Sequence, residues 1–177
     1  MNWDKPIVSR GHRIMYEAPA RMINGSKSNV IDIGCSNGYG YYRLIEENAV
    51  SRYLGLDLHK GGIAELNEII QDKSNHKAII ADWLELSDNE LFVADYILCV
   101  EVLEHIKVED RKRFLEKCAK YVKMNMFLST PPRHHTRIHH YGLLQTDECV
   151  DLLTSAGFMV VPMEAQWTTL YMCAPIV

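Results

Sequence analysis

No apolar run in this chain approaches the ~18 residues that a membrane-spanning helix needs, so no bilayer span is expected. The opening residues Met1-Asn2-Trp3-Asp4-Lys5 lack the basic-then-apolar order of a secretory signal. Cysteine is sparse and scattered. Cys35, Cys99, Cys118, Cys149 and Cys173 form no C-x-x-C pair, and an odd number closes no disulfide framework. Reduced thiols in a cytoplasmic protein are the expectation. A net charge of −4 argues against a broad polyanion-binding surface. Repeats, low-complexity tracts and linkers are also missing, and 177 residues suit a single domain with its own core. G-x-x-x-x-G-K-[ST] is absent, which excludes a P-loop, and the lack of G-x-G-x-x-G disfavours a dinucleotide oxidoreductase.

What the chain does have is concentrated at Val30-Ile31-Asp32-Ile33-Gly34-Cys35-Ser36-Asn37-Gly38-Tyr39-Gly40. A β-branched run reaches an acid, a glycine-rich turn follows, and the amphipathic Tyr42-Arg43-Leu44-Ile45-Glu46 comes next. That order reads as strand, tight loop and helix. Glycine permits positive φ and close backbone approach, and a helix N-terminus offers unpaired N–H groups to a polar ligand. A second strand, Tyr53-Leu54-Gly55-Leu56-Asp57-Leu58, also ends on an acid. An acid about 20 residues past a glycine loop is placed to accept both hydroxyls of a ribose. Ala78-Ile79-Ile80-Ala81-Asp82-Trp83 repeats the pattern, with an aromatic beside the acid. Ala94 to Val100 is a fourth apolar strand, followed by Glu101-Val102-Leu103-Glu104-His105.

The first segment resembles motif I of the class I S-adenosylmethionine (SAM) dependent methyltransferases, with Ser36 in place of that motif's middle glycine. The other three segments resemble the next motifs of the family, in order, and the likeness spans roughly residues 28–107. It implies a Rossmann-like, doubly wound, mostly parallel α/β sheet that binds SAM. By the same resemblance the cofactor is held by Asp32, Gly34, Cys35, Ser36, Gly38, Asp57, Leu58, Asp82, Trp83 and Val100, with the ribose at Asp57 and the adenine near Asp82.

Periodicity predicts helices at 10–23, 38–47, 60–71, 108–122 and 146–156, and strands at 29–34, 52–57, 76–81, 94–100 and 123–129. Pro19 is expected to kink or interrupt the first helix. Thr146 reads as the N-cap of the last, with Asp147 and Glu148 in its first turn and Gly157 just past its end. Strands at 158–162 and 167–173 are too closely spaced for a parallel crossover, so they form an antiparallel hairpin and complete seven strands. Nothing is left over for a substrate domain. Acceptor recognition is therefore expected from residues 1–27, covering the site, and from the loop Thr130 to Tyr141, which holds Arg133, Arg137, His134, His135, His139 and His140.

Methyl transfer from a sulfonium needs alignment above all, worth about 7–11 kcal/mol. A general base is useful where the acceptor is a hydroxyl or a protonated amine. Glu101 is the candidate base, with His105 beside it. If Glu101 starts a helix, Glu101, Glu104 and His105 share one face and form a candidate site for a divalent cation such as Mg²⁺ or Mn²⁺. That constellation resembles two class I groups, the ubiquinone-pathway O-methyltransferases and the small-RNA 3′-terminal 2′-O-methyltransferases. The expectation is a SAM-dependent methyltransferase acting on an O or N acceptor, with a small molecule favoured and nucleic acid as the alternative partner. A SAM-binding regulatory subunit without activity is the competing reading.

Overall fold

The computed structural model describes residues 10–71, 73–131, 141–142, 144–165 and 168–176. The chain opens with α1 (Arg10–Met22) and then alternates: β1 (Ser28–Ile33), α2 (Tyr39–Glu46), β2 (Val50–Asp57), α3 (Lys60–Ile70), β3 (His76–Ile80), β4 (Ala94–Val100), α4 (Arg111–Tyr121), β5 (Val122–Thr130) and α5 (Thr146–Ser155). The antiparallel pair β6 (Phe158–Ala165) and β7 (Thr168–Pro175) closes it. Among the described residues these strands form one seven-stranded sheet in the order β3-β2-β1-β4-β5-β7-β6. Neighbours from β3 to β5 are parallel, and β7 runs against β5. This is the expected Rossmann-like α/β sheet with its C-terminal hairpin.

Period-two alternation gives the sheet two buried faces. Ile31, Leu54, Ile97 and Leu128 face a core closed by Phe114 and Leu115 of α4 and Leu153 of α5. Val30, Tyr53, Leu98 and Phe127 face a second core closed by Tyr16 of α1, Leu44 of α2 and Leu66 of α3. No described helix is long and apolar enough to cross a membrane.

Two local expectations need correction. Pro19 does not interrupt α1, which runs through it and is continued by an Ile23 N–H to Pro19 C=O bond of 3.1 Å. Gln145, not Thr146, caps α5, because the Glu148 carboxylate reaches back to accept the Gln145 N–H at 2.8 Å.

Candidate active site

Ligands of open parallel sheets sit beyond the carboxyl ends of the strands. Here those ends are followed by Gly34–Asn37, Leu58–His59, Ala81–Trp83 and Glu101–Ile106, and all four segments line one cleft of about 1120 Å³. Gly34 takes φ 76°, and a Cβ there would sit 2.4 Å from Val102 Cγ2. The turn thus needs glycine both for its backbone and for its packing.

Asp57 anchors this edge. One carboxylate oxygen accepts the Ser36 N–H at 2.8 Å, and the other accepts the His59 N–H at 2.8 Å. Each oxygen keeps a further acceptor site, so the two together suit a pair of vicinal hydroxyls. Leu58, beside it on the cleft wall, is 67% exposed, which leaves an uncovered apolar face for a flat base. Asp82 Oδ1 accepts the Leu84 N–H at 2.8 Å and so closes a tight turn. Vicinal-hydroxyl acceptors, an apolar wall and a second carboxylate match the ribose and adenine of a nucleoside cofactor such as SAM.

Of the residues expected to hold the cofactor, Gly34, Cys35, Ser36, Asp57, Leu58, Asp82, Trp83 and Val100 line the cleft. Asp32 and Gly38 do not, which corrects their reading as contact residues. Asp32 is fully buried, its Oδ2 accepting the Tyr53 hydroxyl at 2.9 Å while Oδ1 has no partner among the described residues. Burial pushes its carboxyl up to about 7, with Tyr53 partly opposing. Gly38, at φ 88°, is the N-cap of α2 and packs on Leu66. Burial also pushes the Cys35 thiol far above its usual range, so it lines the site as a neutral, unreactive group.

Several lining residues fall outside the expected set, among them Asn37, Tyr39, His59, Val102 and Ile106. Asn37 was readable as part of the glycine loop. Tyr39 contacts Tyr16 edge-on at 6.0 Å, and Tyr16 brings α1 to the cleft, a contact that only the tertiary fold creates.

The far end of the cleft carries Glu101 and His105. Glu101 takes φ 55°, a left-handed conformation costly for a residue with a side chain. Its strain is held by Ser129. That hydroxyl accepts the Glu101 N–H at 3.1 Å and lies 3.3 Å from Glu101 Oε1, to which it donates. Residue 101 therefore does not start a helix, and Leu103–His105 is a single 3₁₀ turn. This overturns the shared face expected of Glu101, Glu104 and His105 as metal ligands. Glu104 is 3% exposed and does not line the cleft. Among the described residues no group of three or more His, Cys, Asp or Glu is arranged to hold a metal. His134, His135, His139 and His140 lie outside the described residues.

Burial, and secondarily the nearby Glu101, push the Glu104 carboxyl from 4.5 up to about 8. A folded-state value above the unfolded one means that the native chain binds the proton more tightly. Its contribution to stability is fully present below pH 4.5 and is lost as pH rises toward about 8. Urea midpoints measured across that window should fall with rising pH, and Glu104→Gln should flatten the slope. An unchanged slope would show that Glu104 does not carry it.

A second expectation concerns Gly62. A Cβ there would meet the Ser36 carbonyl carbon at 2.8 Å and its oxygen at 2.9 Å, both backbone atoms that no rotamer change can move. Gly62→Ala should push α3 off the cofactor loop, destabilise by about 1–3 kcal/mol and weaken ligand binding. Thermal melts with and without S-adenosylhomocysteine (SAH) check both effects.

Comparison with known proteins matches residues 31–128 to the family model described as "Methyltransferase domain". No curated protein matches the sequence significantly. Among solved structures the chain is similar to an O-methyltransferase family protein from Burkholderia thailandensis (TM-score 0.75, 13% identity), covering 94% of this chain but 57% of that one. It is also similar to magnesium protoporphyrin IX methyltransferase from Synechocystis PCC 6803 with bound SAM (TM-score 0.73, 16% identity, 93% and 80% covered). A third likeness is to the N-methyltransferase NodS from Bradyrhizobium japonicum WM9 in complex with SAH (TM-score 0.74, 17% identity, 98% and 93% covered). At such identities these likenesses concern the fold.

Proposed function

This chain belongs to the methyltransferase-domain family, in its class I SAM-dependent form, and from that premise we propose that it transfers a methyl group from SAM to an oxygen or nitrogen of a small-molecule acceptor. The observation that carries the reading is the continuity of the cleft. Asp57 and Asp82 stand at the ends of β2 and β3 on one side of β1, Glu101 and His105 follow β4 on the other, and all four line the same cleft.

When bound, SAM supplies a methyl on a positively charged sulfur, open to in-line displacement. The protein's residues do the rest. Asp57 accepts the ribose hydroxyls, and Asp82 accepts from the adenine amino group. Tyr16, Val102 and Ile106 wall the cleft. Glu101 orients the acceptor and takes its proton, held at a fixed position by Ser129. His105, exposed at the rim, contacts the acceptor's outer part.

Calorimetry with SAM, SAH and NAD tests the cofactor: binding of the first two and not the third is expected, and NAD binding would overturn it. Transfer of tritium from methyl-labelled SAM into extract fractions tests the activity. SAM binding without transfer to any fraction would favour the regulatory-subunit reading.

A further inference from the structure

The segment after β3 forms one end of the cleft but has no regular secondary structure of its own. It is held as a turn by two bonds to Asp82: Oδ1 accepts the Leu84 N–H at 2.8 Å, and the main-chain carbonyl accepts the Glu85 N–H at 3.1 Å. A third tie comes from across the fold. Lys117, on α4, donates from Nζ to the Trp83 carbonyl at 2.7 Å and to the Leu86 carbonyl at 2.6 Å. The same ammonium lies 5.1 Å from the centre of the Trp83 ring. That ring is 2% exposed, and its Nε1–H points at the Phe114 carbonyl at 3.4 Å.

One cation therefore bridges two carbonyls of the same turn. Charge-assisted bonds of this kind are stronger than neutral ones, and partial burial of Lys117 strengthens them further by limiting competition from water. Burial also draws the ammonium down from its ordinary lysine value. If Lys117 only filled space beside Trp83, its stem would suffice and Nζ would lie in solvent. Instead Nζ is spent on the turn that aims Asp82.

We propose that Lys117 is a positioning residue for nucleobase specificity: by bridging the Trp83 and Leu86 carbonyls it holds the Asp82 carboxylate toward a donor on the base, the exocyclic amino group of an adenine. The inference rests on the SAM reading above. It explains selection of an amino-bearing base over one carrying an oxo group at that position, which a fixed carboxylate repels.

The test is calorimetric titration of the full chain, wild type and variants, with SAH and with S-inosyl-L-homocysteine, which carries the oxo group instead. The wild type should prefer SAH. K117M should weaken SAH binding roughly tenfold and the inosine compound much less, so that the preference collapses. K117R keeps donors for both carbonyls and should restore most of the preference. If K117M does not fold, K117Q, which retains one donor group, carries the same comparison. Equal losses for both compounds, or no loss for either, would overturn the positioning role. Failure of the wild type to bind SAH at all would instead overturn the cofactor reading, and the inference with it.

Discussion

Glu101→Gln is expected to slow methyl transfer by about 10²-fold or more, the range typical of a lost general base, while SAH affinity stays as in the wild type. The expectation follows from where Glu101 sits. It follows β4 directly on the cleft wall, in a left-handed backbone conformation, with Ser129 contacting both its amide and its carboxylate. A strained non-glycine residue persists where the surroundings over-determine it, and such strain clusters at working sites. Glu101→Gly makes the complementary case. It relieves the positive φ and should raise stability by up to about 1 kcal/mol, yet transfer should be lost with the carboxylate. Tritium transfer into the responsive extract fraction and urea midpoints measure the two quantities. If glutamine at 101 leaves turnover intact, Glu101 has no part in proton transfer, and alignment alone carries the reaction.

Asp57→Ala is expected to weaken SAH binding by roughly 10- to 100-fold, the free energy of a lost charge-assisted pair. The ribose contact is only part of the loss. Asp57 also accepts the Ser36 and His59 N–H groups, so the alanine variant frees the glycine loop and the entry to α3 together. Asp57→Asn keeps one acceptor oxygen and removes the charge, and its loss should fall between wild type and alanine. Calorimetric affinities rank the three proteins, and far-ultraviolet circular dichroism checks that the sheet is intact. Unchanged affinity in Asp57→Ala would remove the ribose from this position.

Much of this was legible in the residues because it depends on local pattern. Strand-to-helix alternation comes from periods of 2 and 3.6, and the short link between β6 and β7 requires an antiparallel pair. The spacing of Gly34, Asp57 and Asp82 sets them at successive carboxyl ends of neighbouring strands, so one end of the cleft followed from the alternation of strands and helices. What lay beyond the sequence turned on the direction of single side chains and on contacts between distant segments. The spacing of Glu101, Glu104 and His105 suits a helix face, but one residue at φ 55° breaks that geometry and sends Glu104 into the core. Asp32 has the same motif credentials as Asp57, yet it stands one residue before the strand's end and points to the face that Tyr53 and α1 close over. Lys117 reaches a turn more than 30 positions away, which no local pattern encodes. Element types, the closing hairpin and loop chemistry belong to short stretches of chain and were determined by the sequence itself. Which acids face the cleft, and what holds them there, was decided only when the helices packed on the sheet, because burial and backbone angle at each strand end are set by neighbours far along the chain.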